Sequence, residues 1–532
     1  MRRSWSCVAL VLAASALAVP ASAGAATADF THGVASGDVT SSRAIVWTRV
    51  DQAANIKLEV WRNTSCLTGQ KAFQKNNIRS SATSDFTIKV DVAGLAPATE
   101  YCYRFRRGDE GSSDVGVFTT APAATSAADV EFTYSGDSDG TKVSGAPFFN
   151  NFEVLDQARL ENGNFFVYLG DTIYSDSSLR PSGPATTLAE YRDAYKVNRE
   201  IAALPNLLKS ASTYALMDDH EVQNDYDGQT VNPARYAAGR RAFLDYMPVR
   251  ETGLPQDSSC AGDPLYRTFR WGSEVELFVL DERSCRSADV AAACLNPPPF
   301  PSPDLGPTLP TVVRATPPFN FFLPPTPPAT CLPAIFDPSR TMLGPVQKQK
   351  FKNDLQASNA KYKIVISELA MQQFFALPYD RWEGYGAERN EILDYIRNNG
   401  ISNVLFLTTD NHANLVNQVF KDQFENCAVV TTTCWQTSPP TTISNELITG
   451  PIATNTLQAE VLGAFGPLGL FAFNQVLNVA DIDCRNLNEY SYGLVQENAT
   501  AGTTNVTLKD DTGATVVDAN NATINCAKAF GP

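Results

Sequence analysis

Asp171 and Tyr174 close the decapeptide FFVYLGDTIY, a short apolar run that ends in Gly-Asp and then, three residues on, a tyrosine. Such a run predicts a buried β-strand that delivers a carboxylate to its C-terminal tip, where open α/β sheets build their sites. A carboxylate and a phenol presented together are hard oxygen donors suited to a highly charged cation such as iron(III). The device recurs. The run Val130–Gly136 ends at Asp137, with Asp139 close behind, and Thr213–Met217 ends in Asp218-Asp219-His220-Glu221, with Asn224 beyond. Val275–Leu280 ends in Asp281-Glu282-Arg283, Lys363–Ser367 ends at Glu368, and Asn403–Thr409 ends in Asp410-Asn411-His412. Any one polar tip is ordinary, since loops after strands are polar and Asp caps helices. Six tips gathered in one crevice would repel one another unless cations neutralised them, so the pattern predicts a metal site. The chain has only 3 histidines, and two of them stand at these tips.

The elements that carry the tips read as alternating strands and helices from Val130 onward, with helical stretches over 152–162, 188–208, 233–246 and 387–399. Before them, alternating runs such as RAIVWTR (43–49) and YCYRF (101–105) predict a small β-sandwich. Leu95–Tyr101 has the form of a tyrosine corner, in which the phenol ties back to the preceding turn. Ala121–Ala128 reads as a linker by composition. Between Cys294 and Cys331 the density of proline excludes regular elements and predicts a disulfide-closed surface loop, with an aromatic lid as the alternative. The aromatic run Tyr379–Tyr385 reads as core rather than substrate pocket, and His32 as structural.

At 532 residues the chain exceeds one core. Its 42 Lys and Arg against 57 Asp and Glu give a net charge of -15, which disfavours nucleic acid as a partner and suits a protein that collects cations. Arg2 and Arg3, the apolar segment Val8–Val19 and Ala21-Ser22-Ala23 predict an export signal over 1–26, with the arginine pair compatible with the twin-arginine route. No later stretch reads as a membrane span, so the expected product has no stable membrane anchor and is secreted, periplasmic or extracellular. Of 11 cysteines, Cys7 lies in the signal and ten remain. Neighbours suggest Cys66–Cys102, Cys260–Cys285, Cys294–Cys331, Cys427–Cys434 and Cys484–Cys526, although spacing does not fix connectivity. Oligomeric state is not legible.

The order Gly-Asp, Gly-Asp-x-x-Tyr, x-Asp-His-Glu, Asp-x-His resembles the calcineurin-like metallophosphoesterases, and the tyrosine is similar to that of purple acid phosphatases. The fuller resemblance, through Phe30–Asp38, Arg43–Arg49, Leu169–Tyr174, Asp218–Glu221, Leu280–Arg283, Met371–Gln373 and Thr408–His412, is to PhoD-like alkaline phosphatases. It implies an α/β (α+β) four-layer metallophosphoesterase-like β-sandwich with flanking helices over 129–532, carrying the Pro-rich insertion 294–336. A small all-β fibronectin-III-like domain over 27–121 would precede it. The resemblance implies a binuclear metal centre of iron(III) plus calcium. Asp137, Asp171, Tyr174 and His412 would hold the first ion. Asp171 would bridge to a second held by Asp219 and Asp410, with Asn224 or Glu368 as additions. His220 would serve as proton donor, and Arg283 either as a phosphate clamp or as a structural ion pair. The expected substrate is a phosphate ester, cleaved by a metal-activated water without a covalent serine intermediate. A phosphodiesterase or phospholipase-D-like hydrolase on the same site, a non-catalytic calcium-dependent binding protein and a structural surface protein are the alternatives. The chain departs from the family where a cysteine follows the first aspartate: Gly136–Asn150 contains none, and Asp139 is the replacement on offer.

Overall fold

Phe165, Val167 and Leu169 pack on one side of their strand and Phe166 and Tyr168 on the other, and both sets are buried in separate hydrophobic clusters. A strand apolar on both faces must be covered on both, and that requirement organises the molecule. The computed structural model describes residues 29–62, 69–108, 111–254, 259–296 and 304–531. The export signal expected over 1–26 and Cys66 lie outside these residues.

Two large sheets face each other. The first runs Ala527–Phe530, Thr503–Asp510, Ser491–Asn498, Val130–Ser135, Phe165–Tyr168, Ser212–Ala215, Phe30–Gly37, Arg43–Val50, Thr87–Ala93. The second runs Arg267–Trp271, Val275–Val279, Tyr362–Ile366, Val404–Thr408, Ser444–Ile448, Asn414–Val419, Ile482–Asn486. Between them Phe132, Phe165, Leu277, Val279, Ile364, Ile366, Leu405 and Leu407 form one core, with Phe132 and Phe165 stacked at 4.5 Å. Truncating Phe165 to alanine would cost about 3–5 kcal/mol. Glu153–Leu160, Leu188–Arg199, Ala203–Ser210 and Pro233–Tyr246 cover the outer face of the first sheet. Gly344–Ala357 and Gly386–Asn398 cover the second through Phe351, Leu355, Ile392 and Ile396. The four-layer arrangement expected from the sequence is thus present.

Local chemistry explains the helix ends. Thr187 and Glu190 form a reciprocal capping box, and Asn232 caps a helix whose first residue is Pro233. The helical stretch read as 188–208 is two helices, Leu188–Arg199 and Ala203–Ser210. Pro205 has no N–H and its ring would collide with the carbonyl of residue 201, so it fits the first turn of a new helix and not the interior of an old one.

The N-terminal all-β segment is a sandwich whose first sheet is the edge of the large one. Phe30–Gly37 pairs in parallel with Ser212–Ala215, while Asn55–Trp61, Lys71–Arg79, Glu100–Arg107 and Gly116–Thr119 form the smaller sheet. The Tyr101 hydroxyl accepts from the Ala96 N–H at 2.8 Å, the tyrosine corner read from the sequence. Ala121, where the linker was expected to begin, is buried in the inter-sheet core.

Four of the suggested disulfides are formed: Cys260–Cys285, Cys294–Cys331, Cys427–Cys434 and Cys484–Cys526. Cys102 is also disulfide-bonded. The proline-dense insertion, expected to hold no regular element, contains single turns at Thr311–Arg314, Phe319–Phe321 and Cys331–Ile335. Two of them start directly after Pro310 and Pro318, whose fixed φ suits a helix start. Leu309, Val313, Phe319 and Phe322 anchor the insertion in a third core. Trp382 and Tyr385 are buried, in line with the core reading of that aromatic run.

Candidate metal centre

Strand order turns the tips into one crevice. Val130–Ser135 and Phe165–Tyr168 are adjacent and parallel, Ser212–Ala215 lies beside them, and Val404–Thr408 brings its tip from the facing sheet. The backbone turns abruptly at each tip: Asp137, Asp171, Asp410 and His412 have φ of 62, 46, 62 and 48°. Left-handed backbone at non-glycine residues costs of order 1 kcal/mol each and gathers at functional sites. Gly170, with φ 81°, has no alternative, because a Cβ there would lie 2.6 Å from Cβ of Asp218.

Two ligand groups share Asp171. Asp137, Asp171 and His412 bring one donor atom each within 4.8 Å of one another, and Asp171, Asp219 and His220 do the same. The Tyr174 hydroxyl joins the first group, 2.9 Å from His412 Nε2. The opposite ring nitrogen, Nδ1, lies 2.8 Å from Glu460 Oε1, which orients the imidazole toward the carboxylates. Asp137 Oδ2 accepts from Thr409 at 2.5 Å. Its Oδ1, like Oδ1 of Asp219, is buried with no hydrogen-bond partner among the described residues. Buried carboxylate oxygens left unpaired carry a large desolvation cost, and cations remove it.

The charges are correspondingly strained. Burial, with repulsion from Asp219 and Asp218, pushes Asp171 well above the usual carboxylate range, and burial with Asp218 and Asp380 does the same for Asp410. Burial and the adjacent Asp171 and Asp137 hold the Tyr174 phenol protonated. For His220, burial opposes the charge, but Asp219 and a 2.5 Å contact between Nδ1 and Asp176 outweigh it and raise the pKa to about 10. The His220 ring stacks on Tyr174 with centroids 4.0 Å apart. Its Nε2 lies 3.9 Å from Asp171 Oδ2 and 4.0 Å from Asp219 Oδ1.

Other tip residues support this crevice. Glu221 accepts from the backbone of Thr172 at 2.6 Å and of Asp218 at 3.0 Å, tying two strand-end loops together. Arg283 is fully buried behind the carboxylates, 2.5 Å from Asp218, 2.8 Å from Asp380 and 3.5 Å from Asp410. Asn224 reaches the site through its backbone, donating its N–H to Asp176 Oδ2 at 2.6 Å while the residue itself is exposed. Asp139 caps the Thr141 N–H at 2.9 Å and belongs to neither ligand group. Both carboxylate oxygens of Glu368 are buried without a hydrogen-bond partner among the described residues, and burial with the nearby Glu282 raises its pKa strongly.

The family model for the PhoD-like phosphatase matches residues 140–512, and that for the PhoD-like phosphatase N-terminal domain matches residues 14–122. The chain belongs to the PhoD-like phosphatase family. Alkaline phosphatase D of Bacillus subtilis (strain 168) is 28% identical over 435 residues, which is 74% of this chain and 66% of that protein. This chain therefore spans just under two thirds of that relative's length. A solved structure of PhoD shares the fold with a TM-score of 0.70 at 21% identity, covering 92% of this chain and 93% of the other. The purple acid phosphatase PPD1 from yellow lupin (Lupinus luteus) seeds also shares it, with a TM-score of 0.54 at 10% identity over 94% and 73% of the two chains. The expected family and fold are both present.

Within this PhoD-like phosphatase, four acidic residues of the site escaped the sequence reading. Asp176 and Asp225 lie just past the tips at Tyr174 and Asn224, so extending each tip by a residue or two would have found them. Asp380, which joins Asp219 and Asp225 in a third acidic group, lies deep in the long loop after Tyr362–Ile366, well past the Glu368 tip. Glu460 had one signal: it is the sole charged residue between Leu457 and Leu477.

Proposed function

We propose that this chain is an exported phosphoric-ester hydrolase with a binuclear metal centre. The observation that carries the reading is the pair of ligand groups sharing Asp171, each containing a buried carboxylate oxygen that no described residue satisfies. Asp137, Asp171, Tyr174 and His412 would hold one ion, and a phenol beside an imidazole and carboxylates suits iron(III). Asp171, Asp219 and Asp410 would hold a second, for which an all-oxygen donor set suits calcium. Bound there, the cations supply positive charge for phosphoryl oxygens and a water acidified toward neutrality.

The residues of the chain do the rest. Asp176 holds the Nδ1–H of His220, so that the second proton of the imidazolium, on Nε2, faces the Asp171 and Asp219 carboxylates. From there His220 can deliver it to a leaving alkoxide. Neutralising Asp219 with a cation removes the main cause that raises His220 and brings its proton affinity toward the working range. Arg283 is consumed by Asp218 and Asp380, so its part here is to hold the carboxylate wall in place and not to clamp phosphate. Disulfides at four sites fit an oxidising, exported setting.

The test is turnover of nitrophenyl phosphate and bis-nitrophenyl phosphate by the purified protein before chelation, after it, and after reloading with iron and calcium. Activity that falls on chelation and returns on reloading supports the reading, and turnover that survives removal of all metal contradicts it.

A further inference from the structure

The helix Leu457–Leu477 is long and apolar enough to cross a membrane by length and composition, yet only 33% of its apolar window is buried. A core helix would be covered. This one is interrupted at Gly466, where φ is 67° and ψ -173°, followed by Pro467. Each half is then roughly 15 Å long at about 1.5 Å per residue, half the thickness of a bilayer core, so the segment can lie on a membrane but not span it. From Leu462 to Phe471 the sequence is LGAFGPLGLF, with no side-chain hydrogen-bond donor or acceptor. Leu462 is 37% exposed, Leu468 65% and Phe471 50%.

The Phe319–Phe321 turn of the proline-rich insertion packs beside this helix through Phe319, and its Phe321 is 76% exposed. Between residues 305 and 336 the sole charged residue is Arg314, which is fully buried and bonded to the Pro324 and Gly306 carbonyls. A chain with a net charge of -15 therefore presents two adjacent segments, Leu462–Phe471 and residues 305–336, with no exposed charge. That surface starts at the site. Leu457 donates its N–H to the His412 carbonyl at 2.8 Å, and Glu460, in the same first turn, holds His412 Nδ1.

We propose that the Leu457–Leu477 helix and the Phe319–Phe321 turn form an apolar platform that seats the protein on a zwitterionic lipid surface, at the rim of the metal centre. A second copy of the chain is a poorer occupant, because protein interfaces carry about one hydrogen bond per 100–200 Å² and residues 462–471 offer no polar side chain. An anionic membrane is also poorer, because the remaining acidic surface is repelled by it. Exposed Leu and Phe inserted at the headgroup boundary need neither partner. The proposal is independent of which ester the site cleaves.

Flotation of the mature protein with phosphatidylcholine vesicles tests it. The wild-type protein is expected to rise with the vesicles, less so when phosphatidylglycerol is mixed in. L468E/F471E should partition at least about tenfold more weakly, since charges are strongly excluded from the apolar layer. F321E, on the separate turn, should also weaken partitioning. Both variants should hydrolyse a soluble nitrophenyl ester at the wild-type rate, which certifies their fold. Three results would overturn the proposal: wild-type protein that stays with the unbound fraction, variants that float as well as wild type, or light scattering that shows a dimer lost in L468E/F471E.

Discussion

The hydroxyl of Tyr174 lies 2.9 Å from Nε2 of His412, although 238 residues separate them in the sequence. The contact joins a strand tip of the first sheet to a strand tip of the second, so the first ligand group exists only when the two sheets are packed. Removing the hydroxyl tests what the contact is for. Tyr174→Phe is expected to keep the fold and to lose any visible tyrosinate-to-iron absorption of the native protein. An unchanged absorption spectrum in the variant would contradict the role given to Tyr174.

Glu460 acts on that pair from behind. Glu460→Gln keeps the shape but weakens the hold on His412 Nδ1, and loss of such an outer partner costs about 10–100-fold in metal affinity. Competition with a chelator, read by metal content, should show that loss with little change in thermal stability.

His220 should matter most where the leaving group is poor. His220→Gln is expected to slow hydrolysis of alkyl phosphates by about 10²–10⁴-fold. The loss should be smaller for nitrophenyl esters, whose leaving oxygen needs no proton. Equal losses on both substrates would count against a proton-donor role.

Arg283 is a stability element on this account. Removing it leaves Asp218 and Asp380 buried without their cation, at a cost of about 3–5 kcal/mol. Arg283→Met should therefore lower the unfolding midpoint strongly in a denaturant titration. A variant of normal stability whose defect is confined to KM would instead assign the guanidinium to substrate.

His32 supplies a pH test outside the candidate metal centre. Burial, and then the charges of Arg49 and Arg199, lower its pKa from 6.5 to about 4. The folded state thus keeps the ring neutral while the unfolded state protonates it. Its contribution is fully present above pH 6.5 and is lost as pH falls toward 4. After discounting for partial exposure this amounts to about 1 kcal/mol. The stability difference between wild type and His32→Asn should change by that amount across this window, asparagine being chosen because it tolerates the backbone φ of 66° at this position.

The positions that chemistry singles out were largely legible, because an apolar run ending in Asp announces both a buried strand and what stands at its tip. Asp137, Asp171, Asp219 and His412 could be read in that way. What could not be read depends on long-range packing. The parallel pairing of Phe30–Gly37 with Ser212–Ala215 joins segments about 180 residues apart, and nothing local in either strand names its neighbour. Asp380 reaches the crevice from a loop whose aromatic neighbours are core, so its sequence context advertises packing and conceals the charge. Arg283 stands equally for a phosphate clamp or an ion pair in the sequence, because its partners Asp218 and Asp380 are 65 and 97 residues away. Asn224 was read by its amide side chain, whereas its backbone N–H makes the contact.

Asp171 belongs to both ligand groups at once. Elemental analysis of purified wild-type protein and Asp171→Asn, each folded by circular dichroism, tests it most directly. Two metal equivalents per chain are expected in the wild type, with loss of both in the variant. A variant that keeps one ion at full occupancy, or a wild type that binds none, would contradict it.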